Sequence, residues 1–460
     1  MPGNHEIKFG TDGWRGIIGD TYNFHNLKIL SQAISDYLGQ GKTVAVGFDT
    51  RFMSDRFAGV VAEVLGNNGI KVELSDRAIP TPALSFTVKN RKLDLGIMIT
   101  ASHNPAEYNG LKIKVPSGGA ASPQVTEKIE SHIARTPVKW ASSILPEVKK
   151  DDLTGDYVKF IRSYIDLKKI RHKKFKVLVD AMYGSGDSFI AGVLKGTDIK
   201  LEFMHHTLNP SFGGIRPEPI EENLEELKSR VKKEKFDLGI ALDGDADRIA
   251  AVAGGGVFIH PQKILGLLAL HLNQDRLWSG GIVKTICGTG LVDKIAEFLK
   301  VKLYETPVGF KYISNLMESE DILLGGEEAG GIGFKGYIPE RDGMVAGLLL
   351  IEMMAYRNKN ILQLLNEMER RFGRYYYLRR DIQLGQMVEI KKENLPVTLL
   401  GHKVVQLKDY DGIKLICEDG SWLMFRGSGT EPIIRVYAES QNLKKSMALI
   451  GIGARLINAL

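Results

Sequence analysis

Three times along the chain an apolar, strand-like run ends in a polar, Gly-rich or acidic loop, each time after a strand, helix, strand alternation. The first unit runs from KTVAVGFDTR through the helix-like DRFAGVVAEVLGNNG to LDLGIMITASHNP. The second goes from FKVLVDAMYGSG to FDLGIALDGDADR, and the third from GGIVKTICGTG through LVDKIAEFLK to DILLGGEEAGG. Asp94-Leu95-Gly96-Ile97 recurs as Asp237-Leu238-Gly239-Ile240, and eight positions past each Asp stand Ser102 and Asp245. Repeated βαβ units call for largely parallel sheets, whose ligands gather at the carboxyl ends of the strands. Three similar units therefore offer one polar loop each, and a shared cleft would bring the loops together. From about residue 372 the rhythm changes: RYYYLRRDIQL, VVQLKDYDGIKLICEDGSWLMFRGSGTEPIIRVYAES and a final helix-like segment read as an α+β domain with antiparallel strands. The expected fold is α/β, with three similar βαβ-type mixed-sheet domains at 1–145, 146–256 and 257–370 and an α+β domain at 371–460.

Composition narrows the function. The 460 residues exceed the roughly 250 to 300 at which single cores stop growing. A formal charge of +6, from 61 Lys+Arg against 55 Asp+Glu, favours small anions without demanding nucleic acid. Only Cys287 and Cys417 occur, with no CxxC, which fits a reducing compartment. The N-terminal MPGNHEIKFGTDG has no apolar signal region. GMVAGLLLIEMMAY at 343–356 is broken by Glu352 and falls short of the roughly 20 residues of a membrane span. A cytoplasmic protein with neither nucleic-acid nor membrane partner is expected.

The loops carry the chemistry. DGDADR sets Asp243, Asp245 and Asp247 at alternate positions, where mutual repulsion calls for a hard cation such as Mg2+ or Ca2+. An EF-hand needs Gly and then a Glu at its twelfth position; Arg248 and Gly254 stand there instead. RGSGTEP, followed by Arg435, joins two guanidinium groups, two hydroxyls and flexible amides, the makings of a phosphate cradle. GKT at 41–43 is no P-loop, since Asp36 stands where the first glycine is required. Ser102 lacks the G-x-S-x-G of a hydrolase elbow, and a helix-capping role is its structural alternative. A serine, a three-carboxylate loop and a separate phosphate cradle together suggest a serine that carries phosphate.

In order and spacing, TASHNP, DGDADR, GEEAG and RGSGTEP, with the N-terminal FGTDGWRG, resemble the α-D-phosphohexomutases over essentially the whole chain. That resemblance implies four domains around a central cleft and a phosphoserine at Ser102. It implies Mg2+ held by Ser102, Asp243, Asp245 and Asp247, with Arg15 and Arg248 on the phosphate and Lys112 or His103 as acid or base. Thr306, Gly309, Lys311, Glu327 and Ala329 would bind the sugar. Arg426, Ser428, Gly429, Thr430 and Arg435 would hold the phosphate that is not reacting. The implied reaction moves phosphate between C1 and C6 of a hexose phosphate through a 1,6-bisphosphate, glucose 1,6-bisphosphate serving as activator. YETPVGFKYISNLM, GGEEAGG and IPERDG look most like phosphoglucomutases. Ala329 and Gly331 depart from the Ser and His common in the sugar loop, so mannose 1-phosphate is expected to be turned over as well. A phosphoglucosamine mutase, a sugar phosphatase and a sugar-phosphate-binding protein are the competing readings.

Overall fold

The computed structural model describes residues 7–10, 12–140, 148–384, 390, 395–427 and 433–458, with 187, 188 and 458 described through their backbone alone. One four-strand motif is built three times. Thr43–Phe48 runs parallel to both Lys71–Ser75 and Leu95–Ile99, and Tyr108–Lys114 returns antiparallel to Leu95–Ile99. Lys176–Asp180, Lys200–Met204, Leu238–Leu242 and Ile249–Ala253 repeat this arrangement. So do Gly281–Thr285, Leu303–Thr306, Ile322–Gly326 and Ile332–Phe334. In each motif the first strand lies between the second and third, and the fourth lies outside the third. The third strands, Leu95–Ile99, Leu238–Leu242 and Ile322–Gly326, are buried at every position, which is why they read as unbroken apolar runs rather than alternating ones. The turn from third to fourth strand is the polar loop of each repeat.

Edge strands complete the sheets. Trp14–Ile17 pairs antiparallel with Tyr108–Lys114, placing Arg15 opposite Gly110. Val148–Asp151 runs parallel to Lys71–Ser75, so the first sheet draws a strand from beyond residue 145. Val257–Ile259 likewise pairs with Ile249–Ala253 in the second sheet, past residue 256. The fourth sheet is antiparallel throughout, in the order Tyr376–Gln383, Ile433–Ser440, Trp422–Gly427, Ile413–Cys417, His402–Lys408, Thr398–Leu399. Helix Leu443–Asn458 packs on it.

The long apolar stretch is the helix Gly343–Arg357, buried from Gly343 to Ala355. Asp342 caps it, accepting the N–H groups of Met344 and Val345 at 3.0 and 2.9 Å. It packs against helix Pro261–Leu270 and strand Ile249–Ala253, joining the second and third units in one apolar core. Glu352 is tolerated there because Arg276, His271 and the Asp166 N–H all bond its carboxylate. Among the described residues no helix is long and apolar enough to cross a membrane.

Candidate active site

Ser102 sits in the first of the three turns, 1% exposed and at φ +52°, a left-handed conformation that costs a non-glycine residue on the order of 1 kcal/mol. Arg51 holds it there. The Arg51 Nη2 donates to the carbonyls of Ser102 and Asn104 at 2.7 and 2.6 Å, and Nη1 to those of Pro105 and Tyr108 at 2.8 and 3.0 Å. Asp49 accepts the Thr100 hydroxyl at 2.6 Å, and Thr100 Oγ1 in turn accepts the Ser102 N–H at 2.8 Å. The Ser102 hydroxyl is thereby aimed at the second turn, donating to Asp243 Oδ2 at 2.9 Å. The two backbones touch: a Cβ on Gly244 would lie 2.5 Å from the Ser102 carbonyl oxygen.

Asp243, Asp245 and Asp247 are fully buried, and one oxygen from each lies within 4.8 Å of the others. Asp243 Oδ1 accepts the Arg248 N–H at 3.0 Å, whereas Asp245 Oδ1 and Asp247 Oδ1 have no hydrogen-bond partner. Burial, with repulsion from Asp247 and Asp245, pushes the Asp243 carboxyl well above the usual range. Three hard oxygen donors, two of them with uncommitted atoms, fit a small divalent cation, which would relieve that repulsion. The triad is compensated in part by Lys112, whose Nζ lies 2.8 Å from both Asp245 Oδ2 and Asp247 Oδ2 and 3.0 Å from Asp12. Burial opposes the Lys112 charge, but Asp12, Asp245 and Asp247 outweigh it and hold the ammonium protonated well above pH 7.

The remaining expected residues are distributed around this centre. Arg15 reaches the Ser102 loop through Asn104 Oδ1 at 2.6 Å. Arg248 has its Nε 3.9 Å from Asp247 Oδ1, and its backbone bridges to Gly331, joining the second turn to the third. His103 Nδ1 lies 3.3 Å from Ser102 Oγ. Burial and the positive charges of Arg248, Arg15, Arg216 and Lys112 hold this imidazole neutral. Glu327 is buried in the third turn and Ala329 follows it, half-buried. Thr306 spends its hydroxyl on the Pro307 carbonyl, and Gly309 precedes helix Phe310–Ser319. Lys311 lies beside Asp12 and Gly10, lining a cleft of about 190 Å³. Arg426 and Arg435 are cross-strand partners in the fourth sheet. Ser428, Gly429 and Thr430 lie outside the described residues. Arg426 donates to Asp411, which accepts the Val308 N–H at 2.7 Å and so docks the fourth sheet onto the Thr306–Gly309 segment.

Local motif reading passed over Asp49, Arg51, Asp12, Glu340 and Arg341. Arg341 donates to Glu327 Oε2 at 3.0 Å, to Asp247 Oδ2 at 2.8 Å and to Asp12. The available signals were a charged pair directly after a strand, Asp49-Thr50-Arg51, and the acid-base-acid run Glu340-Arg341-Asp342 before a helix.

Models of the phosphoglucomutase/phosphomannomutase α/β/α domains I, II and III match residues 6–138, 155–256 and 260–372. A phosphoglucosamine/phosphogalactosamine mutase of Sulfurisphaera tokodaii is 33% identical over 94% of this chain and 95% of its own. A phosphoglucomutase/phosphomannomutase of Thermococcus kodakarensis is 29% identical over 98% of each chain. A crystal structure from Thermus thermophilus superposes with a TM-score of 0.89 at 33% identity, over 98% of this chain and 99% of that one.

Proposed function

The chain belongs to the phosphoglucomutase/phosphomannomutase family of α-D-phosphohexomutases, isomerases acting by intramolecular phosphoryl transfer, and from that premise we propose that it interconverts glucose 1-phosphate and glucose 6-phosphate through a phosphoserine at Ser102. The observation that carries this reading is the buried Ser102 hydroxyl, held 2.9 Å from a carboxylate triad that fits a divalent cation.

Mg2+ held by Asp243, Asp245, Asp247 and Ser102 would neutralise charge on the transferring phosphoryl group. Arg15 and Arg248 take up the charge that remains. In the first half-reaction the Ser102 Oγ–P bond breaks and an O–P bond forms to the free hydroxyl of the hexose phosphate, whose proton ends on Ser102 Oγ. His103, neutral and 3.3 Å from that oxygen, supports a role as the carrier of this proton. Lys112, held charged by Asp12, Asp245 and Asp247, orients the sugar hydroxyl and keeps its own proton through the step. The glucose 1,6-bisphosphate so formed turns round in the cleft, and its other phosphate returns to Ser102 as the proton goes back. Glu327 accepts vicinal sugar hydroxyls, with Thr306, Gly309, Lys311 and Ala329 around the ring. Arg426 and Arg435, with Ser428, Gly429 and Thr430, hold whichever phosphate is not reacting, so the cradle must accept either end of the sugar.

Ala329 offers no hydroxyl to discriminate at C2, so mannose 1-phosphate should be a poorer but real substrate. A glucosamine phosphate is the second reading: the adjacent carboxylates Glu327 and Glu328 suit an ammonium group, and the Sulfurisphaera relative bears an amino-sugar name. Intact mass of the wild type and of Ser102→Ala, beside a coupled assay for glucose 6-phosphate with Mg2+ and trace glucose 1,6-bisphosphate, tests the proposal. A phosphate-sized increment confined to the wild type, with turnover lost in the variant, is expected. Full activity of Ser102→Ala would refute the mechanism. Ranking kcat/KM for the three sugar phosphates decides among them.

A further inference from the structure

Arg341 has no part in the roles assigned above, yet it is only 3% exposed and lies among four carboxylates from four chain segments. Nη1 donates to Glu327 Oε2 at 3.0 Å, Nη2 to Asp247 Oδ2 at 2.8 Å and to Asp12, and Nε lies 3.4 Å from Glu340 Oε1. Its guanidinium also lies over the Phe310 ring, 5.4 Å from the centroid. One planar fork thus ties the sugar loop at Glu327 to the metal-capable loop at Asp247. Arg341 uses two different nitrogens for the two loops, and a lysine would offer one nitrogen in their place, without the fixed fork.

The room for this side chain comes from position 331. A Cβ on Gly331 would lie 2.1 Å from Arg341 Cδ and 3.2 Å from Glu327 Oε2. Gly331 is not among the glycines with positive φ, so its backbone would accept an alanine. What bars a side chain there is the arginine.

We propose that Arg341, admitted by the missing side chain of Gly331, is the positioning residue that fixes Glu327 for sugar binding and sets its distance from the phosphoryl-transfer loops. The inference rests on the reading in which Glu327 takes the sugar hydroxyls, and it adds a specificity determinant: the side chain filling the space beside Glu327 belongs to residue 341, not to residue 331. The cation acts through Glu327. Freed from it, a carboxylate among other carboxylates would move apart from them and lose its aim.

The test is steady-state kinetics with glucose 1-phosphate for the wild type, Arg341→Lys, Gly331→Ala, Glu327→Gln and the Gly331→Ala/Glu327→Gln pair. Calorimetric binding of glucose 1-phosphate to the same variants in a Ser102→Ala background accompanies it. Hydrogen bonds to charged groups have the strength to raise KM about 10- to 100-fold when lost. That rise is expected for both Arg341→Lys and Gly331→Ala, with a smaller fall in kcat. On top of Glu327→Gln, adding Gly331→Ala should change KM less than about threefold, since coupled residues are not additive. Gly331→Ala leaves every charge in place, so it stays informative where Arg341→Lys folds poorly. A Gly331→Ala enzyme with wild-type KM, or full additivity in the pair, overturns the inference while leaving the mutase reading intact. A wild type that neither binds nor converts any hexose phosphate overturns the mutase reading, and this inference with it.

Discussion

Gly244→Ala tests whether the distance between two turns governs turnover. The added Cβ would meet the Ser102 carbonyl oxygen at 2.5 Å, where ordinary contact begins at 3.4 Å, so the two backbones must separate by about 0.9 Å. Neither side yields freely. The Ser102 carbonyl is bonded to Arg51 Nη2 at 2.7 Å, and the Gly244 carbonyl accepts the Ser185 N–H at 3.1 Å. Carried along the line from Ser102 Oγ to Asp243 Oδ2, the separation stretches that bond from 2.9 Å to roughly 3.8 Å, outside hydrogen-bond range. A misplacement near 1 Å at a reacting centre costs about 10²-fold, equivalent to roughly 2.7 kcal/mol on the barrier. In the coupled glucose 6-phosphate assay, kcat should fall about a hundredfold. KM should change little, because Arg426 and Arg435 lie on another sheet. Overpacking should remove about 1 to 3 kcal/mol of stability by urea unfolding. Gly59→Ala is the control, with nothing within 4 Å of its Cβ and a place inside helix Ser54–Asn67; it should keep full activity. A folded Gly244→Ala enzyme with kcat within threefold of wild type would refute the reasoning.

Arg51→Met should destabilise the protein by about 3 to 5 kcal/mol in urea unfolding, since it leaves buried Asp49 without its cation and four loop carbonyls without their donor; a loss under 1 kcal/mol would mean water replaces it at no cost. Asp342 gives a pH dependence of definite sign. Burial raises its carboxyl to about 6, against the opposing bonds from Val345, Tyr157, Tyr337 and Met344. Because the folded value lies above the unfolded one near 3.9, its stabilising contribution is complete below about pH 4 and lost as pH rises through 6. Asp342→Asn keeps the cap oxygen but cannot titrate, so its unfolding free energy should vary less between pH 4 and 6.5, by on the order of 2 to 3 kcal/mol; parallel profiles for the two proteins would contradict this.

What the sequence made legible was whatever is local. The three turns stood out because each follows a fully buried strand, where an apolar run breaks abruptly into polar residues. The edge strand Val148–Asp151 did not stand out: its residues, Val-Lys-Lys-Asp, show no apolar alternation, and its two lysines are exposed, so it reads as linker. The helix Gly343–Arg357 was visible as apolar, but its use, filling the seam between two units, depends on partners far away in the chain.

The same distinction separates the parts of the site that motifs revealed from those they hid. A chain that repeats one hairpin motif delivers one loop per repeat to the same end of each sheet, and the loop residues that do chemistry are written consecutively in the loops. Holding three such loops together is a different problem, because each is rich in groups that repel or must be desolvated. Arg51, Lys112 and Arg341 solve it. Arg51 binds carbonyls 51 to 57 residues away, Lys112 reaches carboxylates 133 and 135 residues away, and Arg341 joins Asp12 across 329 residues. No spacing rule links a cation to an anion at such separations, so Arg51 and Arg341 are invisible until the fold is known. Lys112, which the resemblance names as acid or base, shows its clamping contacts only there. The consequence is testable at Gly331: a glycine that looks like ordinary loop flexibility in the sequence becomes, in the folded protein, the space that admits a clamp.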